Sequence, residues 1–213
     1  MRHHDEGKGL NKVACPLFLA PPALYRVLAI AWLICVPPLG WAFSPGENLL
    51  VAFPKGYKVV FTDAKKGVSQ IMELVPEGQT VENWKRMITV QDLYTLSKMD
   101  PNQFADLLAA RFQKQCPKTE VSKLPQASIN NRPAARFYFY NPDCGARPGE
   151  SIVVQVVQGN GALHSVQYAW RPMPPSEQEL QEANAYLDRT GLCDTRLGDC
   201  EEKLNRTGKS RPH

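Results

Sequence analysis

An apolar segment near the start of the chain, Val27–Phe43, decides which residues belong to the folded domain and in which redox environment they fold. Arg26 gives the segment a positive flank, Pro37-Pro38 ends its helical part, and small residues stand at Gly40 and Ala42. This order of a positive flank, a short apolar run and small residues is typical of a secretory signal peptide. We therefore expect residues 1–42 to be a signal peptide that is cleaved after Ala42.

A membrane anchor is the alternative for the same segment. A spanning helix needs about 20 mainly apolar residues, and Val27–Phe43 contains two prolines and a glycine near its end. These features favour cleavage. An uncleaved segment would hold the protein in the inner membrane, and it is the only membrane contact that the sequence predicts.

The charge of the chain gives no indication of a polyanionic partner. Lys and Arg number 25 against 21 Asp and Glu, and the formal net charge is +4. The leader carries more basic than acidic residues, so its removal leaves a nearly neutral domain. Nucleic acid is excluded as an expected partner, and export to the periplasm or the medium supports this exclusion.

Cysteines provide the strongest constraint on the exported part. Cys116, Cys144, Cys193 and Cys200 remain after cleavage, and an even number of cysteines in an exported chain predicts disulfides. Zinc is the competing interpretation, but the sequence contains no Cys-x-x-Cys pair. We predict disulfides, with no metal and no cofactor.

The pairing follows from the predicted strands. Cys116 precedes a strand that starts near Thr119, and Cys144 follows a partner strand that ends at Tyr140. These two ends are adjacent in an antiparallel hairpin. We therefore pair Cys116 with Cys144, which leaves Cys193 with Cys200.

The pattern of short β-rich runs and turn residues predicts a fold of the α+β class. We expect a mainly antiparallel sheet of about six to eight strands, two long helices and one short helix packed on it, and two disulfides. Residues 43–200 would form one domain and 201–213 a disordered polar tail. The predicted strands are Asn48–Phe53, Tyr57–Thr62, Val68–Val75, Met87–Tyr94, Thr119–Ile129, Ala134–Tyr140, Ser151–Gln158 and Ala162–Trp170.

Three helices are expected. The short one covers Val81–Arg86, although a single longer helix running on from it is the alternative. The clearest covers Asp100–Gln115, with Asp100 as N-cap, Pro101 at the first helical position and a stripe that packs on the sheet. That stripe comprises Phe104, Leu107, Leu108, Arg111 and Phe112. The last helix begins at Ser176, which forms a capping box with Glu179.

His164 is the only histidine within predicted structure, so acid–base chemistry at neutral pH would depend on it. It alternates with Val166, Tyr168 and Trp170, whereas Ser165 points to the opposite face. We predict a structural histidine. The alternative is a general base that is paired with a loop carboxylate, for which the candidates are Asp143, Asp194 and Asp199.

One group of side chains resembles a binding site because it combines aromatic and basic residues on the predicted sheet. If these residues share an uncovered face, they would form a groove for a peptide, a glycan or a lipid headgroup. Ordinary packing under a helix is the competing interpretation. The group consists of Arg136, Tyr138, Tyr140, Tyr168, Trp170 and Arg171.

The order of the predicted elements resembles the Mog1/PsbP-like α/β/α sandwich, which includes the bacterial DcrB-like envelope proteins. The opening stretch NLLVAFPKGYKV is similar to the start of these proteins, where a strand is followed by proline, glycine and an aromatic residue. The resemblance spans about Glu47–Leu192. It implies a non-enzymatic accessory role and transfers no catalytic residue, and the four cysteines depart from the family pattern.

Together these features predict an exported, non-catalytic binding or accessory module of the bacterial cell envelope. Its partner would be an envelope protein, a peptide, a glycan or a lipid headgroup. The alternative is a small secreted hydrolase that uses His164 and a loop carboxylate.

Overall fold

The computed structural model describes residues 46–125, 128–141, 144, 149–171, 174–200 and 202–203. The signal segment that we predict over residues 1–42 lies outside the described residues, and so does most of the predicted tail. Of that tail, residues 202 and 203 are helical.

Ten strands and two α-helices make up the regular structure of the described residues. The strands are β1 (Glu47–Leu50), β2 (Tyr57–Lys65), β3 (Ser69–Pro76), β4 (Arg86–Leu93), β5 (Glu120–Leu124), β6 (Ser128–Ile129), β7 (Arg132–Asn141), β8 (Glu150–Gln158), β9 (Leu163–Trp170) and β10 (Gly191–Asp194). The helices are α1 (Pro101–Gln115) and α2 (Glu177–Leu187), and short 3-10 turns cover Tyr94–Leu96 and Thr195–Leu197.

The main sheet is antiparallel, with the strand order β2-β3-β4-β9-β8-β7-β5. The hairpin of β8 and β9 lies at its centre, as the sequence predicts. Strand β8 is buried along nearly its whole length, because helices cover both faces of the sheet.

Alternation along the strands divides the core into two layers. On one face, which we call the α1 face, Phe137, Phe139 and Val154 pack against α1. On the other, the α2 face, Val153 and Ile88 pack against α2. The fold class is therefore confirmed in its main features, an antiparallel sheet with helices packed on it.

Helix α1 begins as predicted, since the Asp100 side chain accepts hydrogen bonds from the first-turn amides and Pro101 follows it. The predicted stripe is partly wrong, because Leu107 is 58 % exposed. The helix is rotated so that Ala105 and Ala109 face the sheet beside Phe104 and Phe112. Small alanine side chains allow a helix to pack close to the strands. A stripe that is drawn through the large residues alone does not include Ala105 and Ala109.

The short helix predicted over Val81–Arg86 does not form. The segment consists of bends, in which Thr80 Oγ1 accepts hydrogen bonds from the amides of Glu82 and Asn83 at 3.3 and 3.2 Å. A threonine hydroxyl satisfies the same amides in a turn as at a helix start, so the capping signal does not distinguish the two. The alternative of one longer helix is also wrong, because the residues that follow form β4.

The first predicted strand, Asn48–Phe53, is not part of the main sheet. Strand β1 pairs with β10 in a separate two-stranded sheet, with Asn48 opposite Cys193. The main sheet starts with β2 instead. A four-residue strand carries too little pattern to identify a partner that far along the chain.

The strand predicted over Thr119–Ile129 is interrupted. Strands β5 and β6 each pair with β7, and Asn130 and Asn131 alone form the turn, with φ of 52° and 60°. Asparagine tolerates this left-handed conformation better than most residues.

Both predicted disulfides are confirmed. Cys116 is bonded to Cys144, and Cys193 to Cys200, with sequence separations of 28 and 7. The first joins the end of α1 to the chain that follows β7, and the second closes the loop after β10. The two bonds indicate an oxidising compartment.

Candidate functional site

A buried polar cluster centred on His164 lies on the α2 face. Strand β9 places His164 directly opposite Asp92 of β4, so both side chains project from the same face of the sheet. His164 Nδ1 is 2.6 Å from Asp92 Oδ1. The hydrogen bond between these two atoms fixes the orientation of the imidazole ring.

Glu47 of β1 closes the cluster from the other side of the ring. Its Oε2 atom lies 3.6 Å from His164 Nε2 and accepts a hydrogen bond from the Asn160 amide at 2.5 Å. The same carboxylate is 3.8 Å from Arg132 Nη2. The imidazole is thus placed between two carboxylates that come from different strands.

The side chains of His164 and Glu47 are buried, and the backbone packs closely against them. The His164 side chain is 2 % exposed and that of Glu47 8 %. A Cβ added at Gly159 would lie 2.1 Å from Glu47 Oε2, 2.7 Å from His164 Nε2 and 2.9 Å from the carbonyl oxygen of Ala162. Only glycine fits at position 159. A surface cavity of about 110 Å³ borders Glu47 and Asn160, and His164 is not among its described lining residues.

The electrostatics of the cluster favour a charged ring. Burial lowers the pKa of His164, but the hydrogen bond to Asp92 and the nearby negative charges of Asp92 and Glu47 outweigh burial and raise this pKa to about 9. For Glu47, burial raises the pKa, whereas the nearby His164 ring and the hydrogen bond from the Asn160 amide lower it below the usual value. At neutral pH the ring is therefore an imidazolium ion that is hydrogen-bonded to Asp92 through Nδ1. Its Nε2 atom lies 3.6 Å from Glu47 and has no hydrogen-bond partner among the described residues.

An imidazolium ion has no lone pair with which to accept a proton, so His164 in this state is not a general base. Its Nε2 atom faces a carboxylate, not a hydroxyl or a thiol. Ser165 points to the opposite face, as the alternation predicts, where its Oγ atom is 3.4 Å from Gln91 Oε1.

Of the candidate loop carboxylates, the two that the structure describes are not partners of His164. Asp194 binds Arg196, and Asp199 binds Lys203, while Asp143 lies outside the described residues. The observed partners, Glu47 and Asp92, come from strands. They precede His164 by many residues, 72 in the case of Asp92, and no local pattern of the sequence joins them to it.

The aromatic members of the predicted group lie together on the α2 face. The rings of Tyr168 and Trp170 are 4.9 Å apart between centroids, and Tyr186 of α2 packs on Tyr168 at 5.8 Å. Tyr138 lies on the same face, where its hydroxyl is 3.1 Å from Ser151 Oγ, and Tyr140 follows it at the next position on that face. Trp170 is 3 % exposed, so its indole ring is a packing element.

Of the two arginines of the group, Arg171 alone lies on the other face of the sheet. Arg171 lies on the α1 face, with its guanidinium 4.0 Å from the centroid of the Trp84 ring and its Nη2 atom 2.8 Å from Glu150 Oε2. Arg136 is buried near the C-terminal end of α2, where it bonds Gln155 and Asp188. The six residues therefore do not line one groove, and a ligand-binding role for the aromatic members stays a prediction.

A second polar region surrounds Arg136. It borders a cavity of about 260 Å³ whose lining residues are Ser128, Ile129, Asn130, Arg136, Gln155, Leu187, Asp188 and Thr190. Sequence reasoning identified only Arg136 of this set. Gln155 could have indicated this region from the sequence. It lies in the apolar middle of β8, and a buried amide side chain needs polar partners.

Cys193, Asp199 and Cys200 are the one group of close potential metal ligands in the described part of the chain. Both sulfur atoms are joined in a disulfide, so neither is a thiolate ligand.

Comparison with known proteins gives no match, either to a protein-family model or to a curated protein. Among the residues that the structure describes, no helix has the length and apolar character needed to cross a bilayer.

The packing around the cluster predicts a sharp difference between two neighbouring glycines. Gly159→Ala should lower the free energy of unfolding by about 1–3 kcal/mol, because the added methyl group displaces Glu47 from His164. Gly161→Ala is the matched control, since nothing lies within 4 Å of a Cβ at Gly161. Urea denaturation of both variants measures the difference, and equal effects would contradict the described packing.

The raised pKa of His164 predicts that stability falls at alkaline pH. The pKa of histidine is about 6.5 in an unfolded chain and about 9 here. The cluster therefore contributes its full stability below about pH 6.5 and loses it as the pH rises through 9. We expect a loss of about 3 kcal/mol over this range.

Urea midpoints measured from pH 6 to 10 test this prediction. The His164→Gln variant serves as the control, because it lacks the titrating ring and should show a much flatter pH dependence. A wild-type midpoint that stays constant, or one that rises above pH 7, would show that the ring is not held in its charged form.

Proposed function

We propose that the chain is an exported, disulfide-stabilised, non-catalytic binding or accessory module of the bacterial cell envelope. The observation that carries the proposal is the state of His164, which is buried, charged and held between Asp92 and Glu47. The histidine that acid–base catalysis would need thus has a structural role, in which it links β9 to Asp92 of β4 and Glu47 of β1.

Export to the periplasm or the medium is supported by two independent features. The two disulfides indicate an oxidising compartment, and Val27–Phe43 has the pattern of a signal peptide. Retention of that segment as an inner-membrane anchor remains the alternative within this proposal. The resemblance of the element order to PsbP-like and DcrB-like proteins also implies an accessory role.

A small secreted hydrolase is the second candidate. One observation favours it, the 2.6 Å contact between Asp92 and His164, because an oriented carboxylate–histidine pair is a component of many hydrolytic sites. Glu47 occupies the position on Nε2 where a nucleophile or a water molecule would stand. The binding module is therefore the better-supported function.

A substrate panel separates the two candidates. The purified protein, with its disulfides formed, is assayed at pH 7 and pH 9.5 against chromogenic esters, phosphate esters, glycosides and peptides. We expect no turnover above that of the His164→Gln variant, because a charged and enclosed imidazole cannot activate a nucleophile.

At pH 9.5 the His164 ring is mostly neutral, since its pKa is about 9. At this pH only the burial of the ring would prevent catalysis. Turnover that is present in the wild type and absent from a folded His164→Gln variant, at either pH, would overturn the non-catalytic role. Far-ultraviolet circular dichroism checks that the variant is folded.

A further inference from the structure

The cavity at the C-terminal end of α2 has a buried floor and an exposed rim. Arg136, Gln155 and Thr190 are buried polar residues of the floor. Ser128 and Asp188 are exposed and place the rim at the surface. Buried polar groups at the base of a surface-reaching cavity are the usual arrangement of a small-ligand site.

The guanidinium group of Arg136 is held in one orientation. Its Nε atom donates to Gln155 Oε1 at 3.0 Å, its Nη2 atom to Asp188 Oδ1 at 2.8 Å, and its Nη1 atom to Asn184 Oδ1 at 3.2 Å. A further bond joins Nη2 to Gln155. An arginine has five N–H groups, so one N–H on Nη1 has no acceptor among the described residues.

Two other groups on the cavity wall are available to a ligand. Asn130 accepts the amide of Leu192 through Oδ1 at 2.8 Å, which leaves its NH₂ group as a donor. Asp188 has a side chain that is 64 % exposed and uses one oxygen on Arg136. The wall thus presents donors beside a carboxylate acceptor.

The charges of the lining residues restrict the class of ligand. The charge of Arg136 and the charge of Asp188 cancel. Asp188 would repel a simple anion, and Arg136 would repel a simple cation. No aromatic ring belongs to the described lining, which leaves a sugar without a surface on which to stack. A molecule that carries both a carboxylate and an ammonium group satisfies both side chains without adding net charge.

The burial of Arg136 is consistent with a recognition role beside its structural one. The arginine side chain is 5 % exposed, and Asp188, its ion-pair partner among the described residues, is mostly in solvent. Replacing buried ion pairs with apolar residues of similar size is often neutral or stabilising. Binding of a ligand would give the buried charge a function in addition to joining α2 to the sheet.

We propose that this cavity binds a small zwitterion of the amino-acid class, with its carboxylate on Arg136 and Asn130 and its ammonium group on Asp188. This inference rests on the proposed function, since it supplies the ligand class of the non-catalytic module. Liquid water occupies about 30 Å³ per molecule, so a cavity of about 260 Å³ accommodates an amino acid with a small or aliphatic side chain.

Isothermal titration calorimetry of the purified protein at pH 7 and constant ionic strength tests the ligand class. The probes are glycine, L-alanine and L-leucine, with acetate, methylammonium and glycerol as molecules that each lack part of the zwitterion. We expect saturable binding of at least one amino acid, and at least tenfold weaker binding of acetate and of methylammonium. Acetate that binds as tightly as the amino acid would overturn the zwitterion assignment.

Two variants test the location. Asp188→Asn should weaken amino-acid binding at least tenfold, because it removes the negative charge that binds the ammonium group. The asparagine Oδ1 atom can still accept the hydrogen bond from Arg136 Nη2, and circular dichroism checks that the variant is folded. Asp106→Asn is the matched control, since Asp106 is exposed on α1, on the opposite side of the sheet. Equal affinities of the two variants would place binding elsewhere and overturn the site.

Failure of this inference can be told from failure of the proposed function. If none of the three amino acids binds to the folded wild-type protein, the zwitterion site is wrong, while the non-catalytic role stands. That role fails only if His164-dependent turnover is found.

Discussion

The Glu47–His164–Asp92 interaction connects the parts of this fold that the main sheet alone does not join. Asp92 and His164 belong to neighbouring strands, whereas Glu47 belongs to the two-stranded sheet of β1 and β10. A buried charge is stable only when its partners are in place. The chain that enters the domain through β1 is therefore fixed over the turn between β8 and β9 before it crosses the α2 face.

The two faces of the main sheet have different roles as a consequence. The α1 face is an apolar core built around Phe137 and Phe139. The α2 face is apolar in the middle but polar towards the turn between β8 and β9, where His164 and Arg136 lie. The surroundings of these two buried positive groups differ. His164 lies between two carboxylates, whereas Arg136 borders a cavity.

Local sequence signals predicted much of this structure. The alternation through His164 and Trp170 placed both on one face, and the hairpin geometry paired Cys116 with Cys144. The caps of both long helices were also confirmed. Each of these inferences uses neighbours in sequence or the ends of a hairpin.

The features that the sequence did not predict depend on contacts between residues that are far apart along the chain. The pairing of β1 with β10 joins segments that are far apart in sequence, and Glu47, at the start of β1, lies beside His164. The Arg136 cavity likewise combines β7 and β8 with residues that follow α2. The rotation of α1, which exposes Leu107 and turns Ala105 and Ala109 towards the sheet, was missed because the predicted stripe included only the larger residues.

The central claim is that His164 is a charged structural group, and nuclear magnetic resonance of its ring nitrogens tests this claim most directly. At pH 7 both nitrogens should show the chemical shifts of a protonated imidazolium ion, and the ring should titrate near pH 9. A neutral ring at pH 7, with a pKa near the ordinary histidine value, would contradict the account and restore His164 as a candidate base.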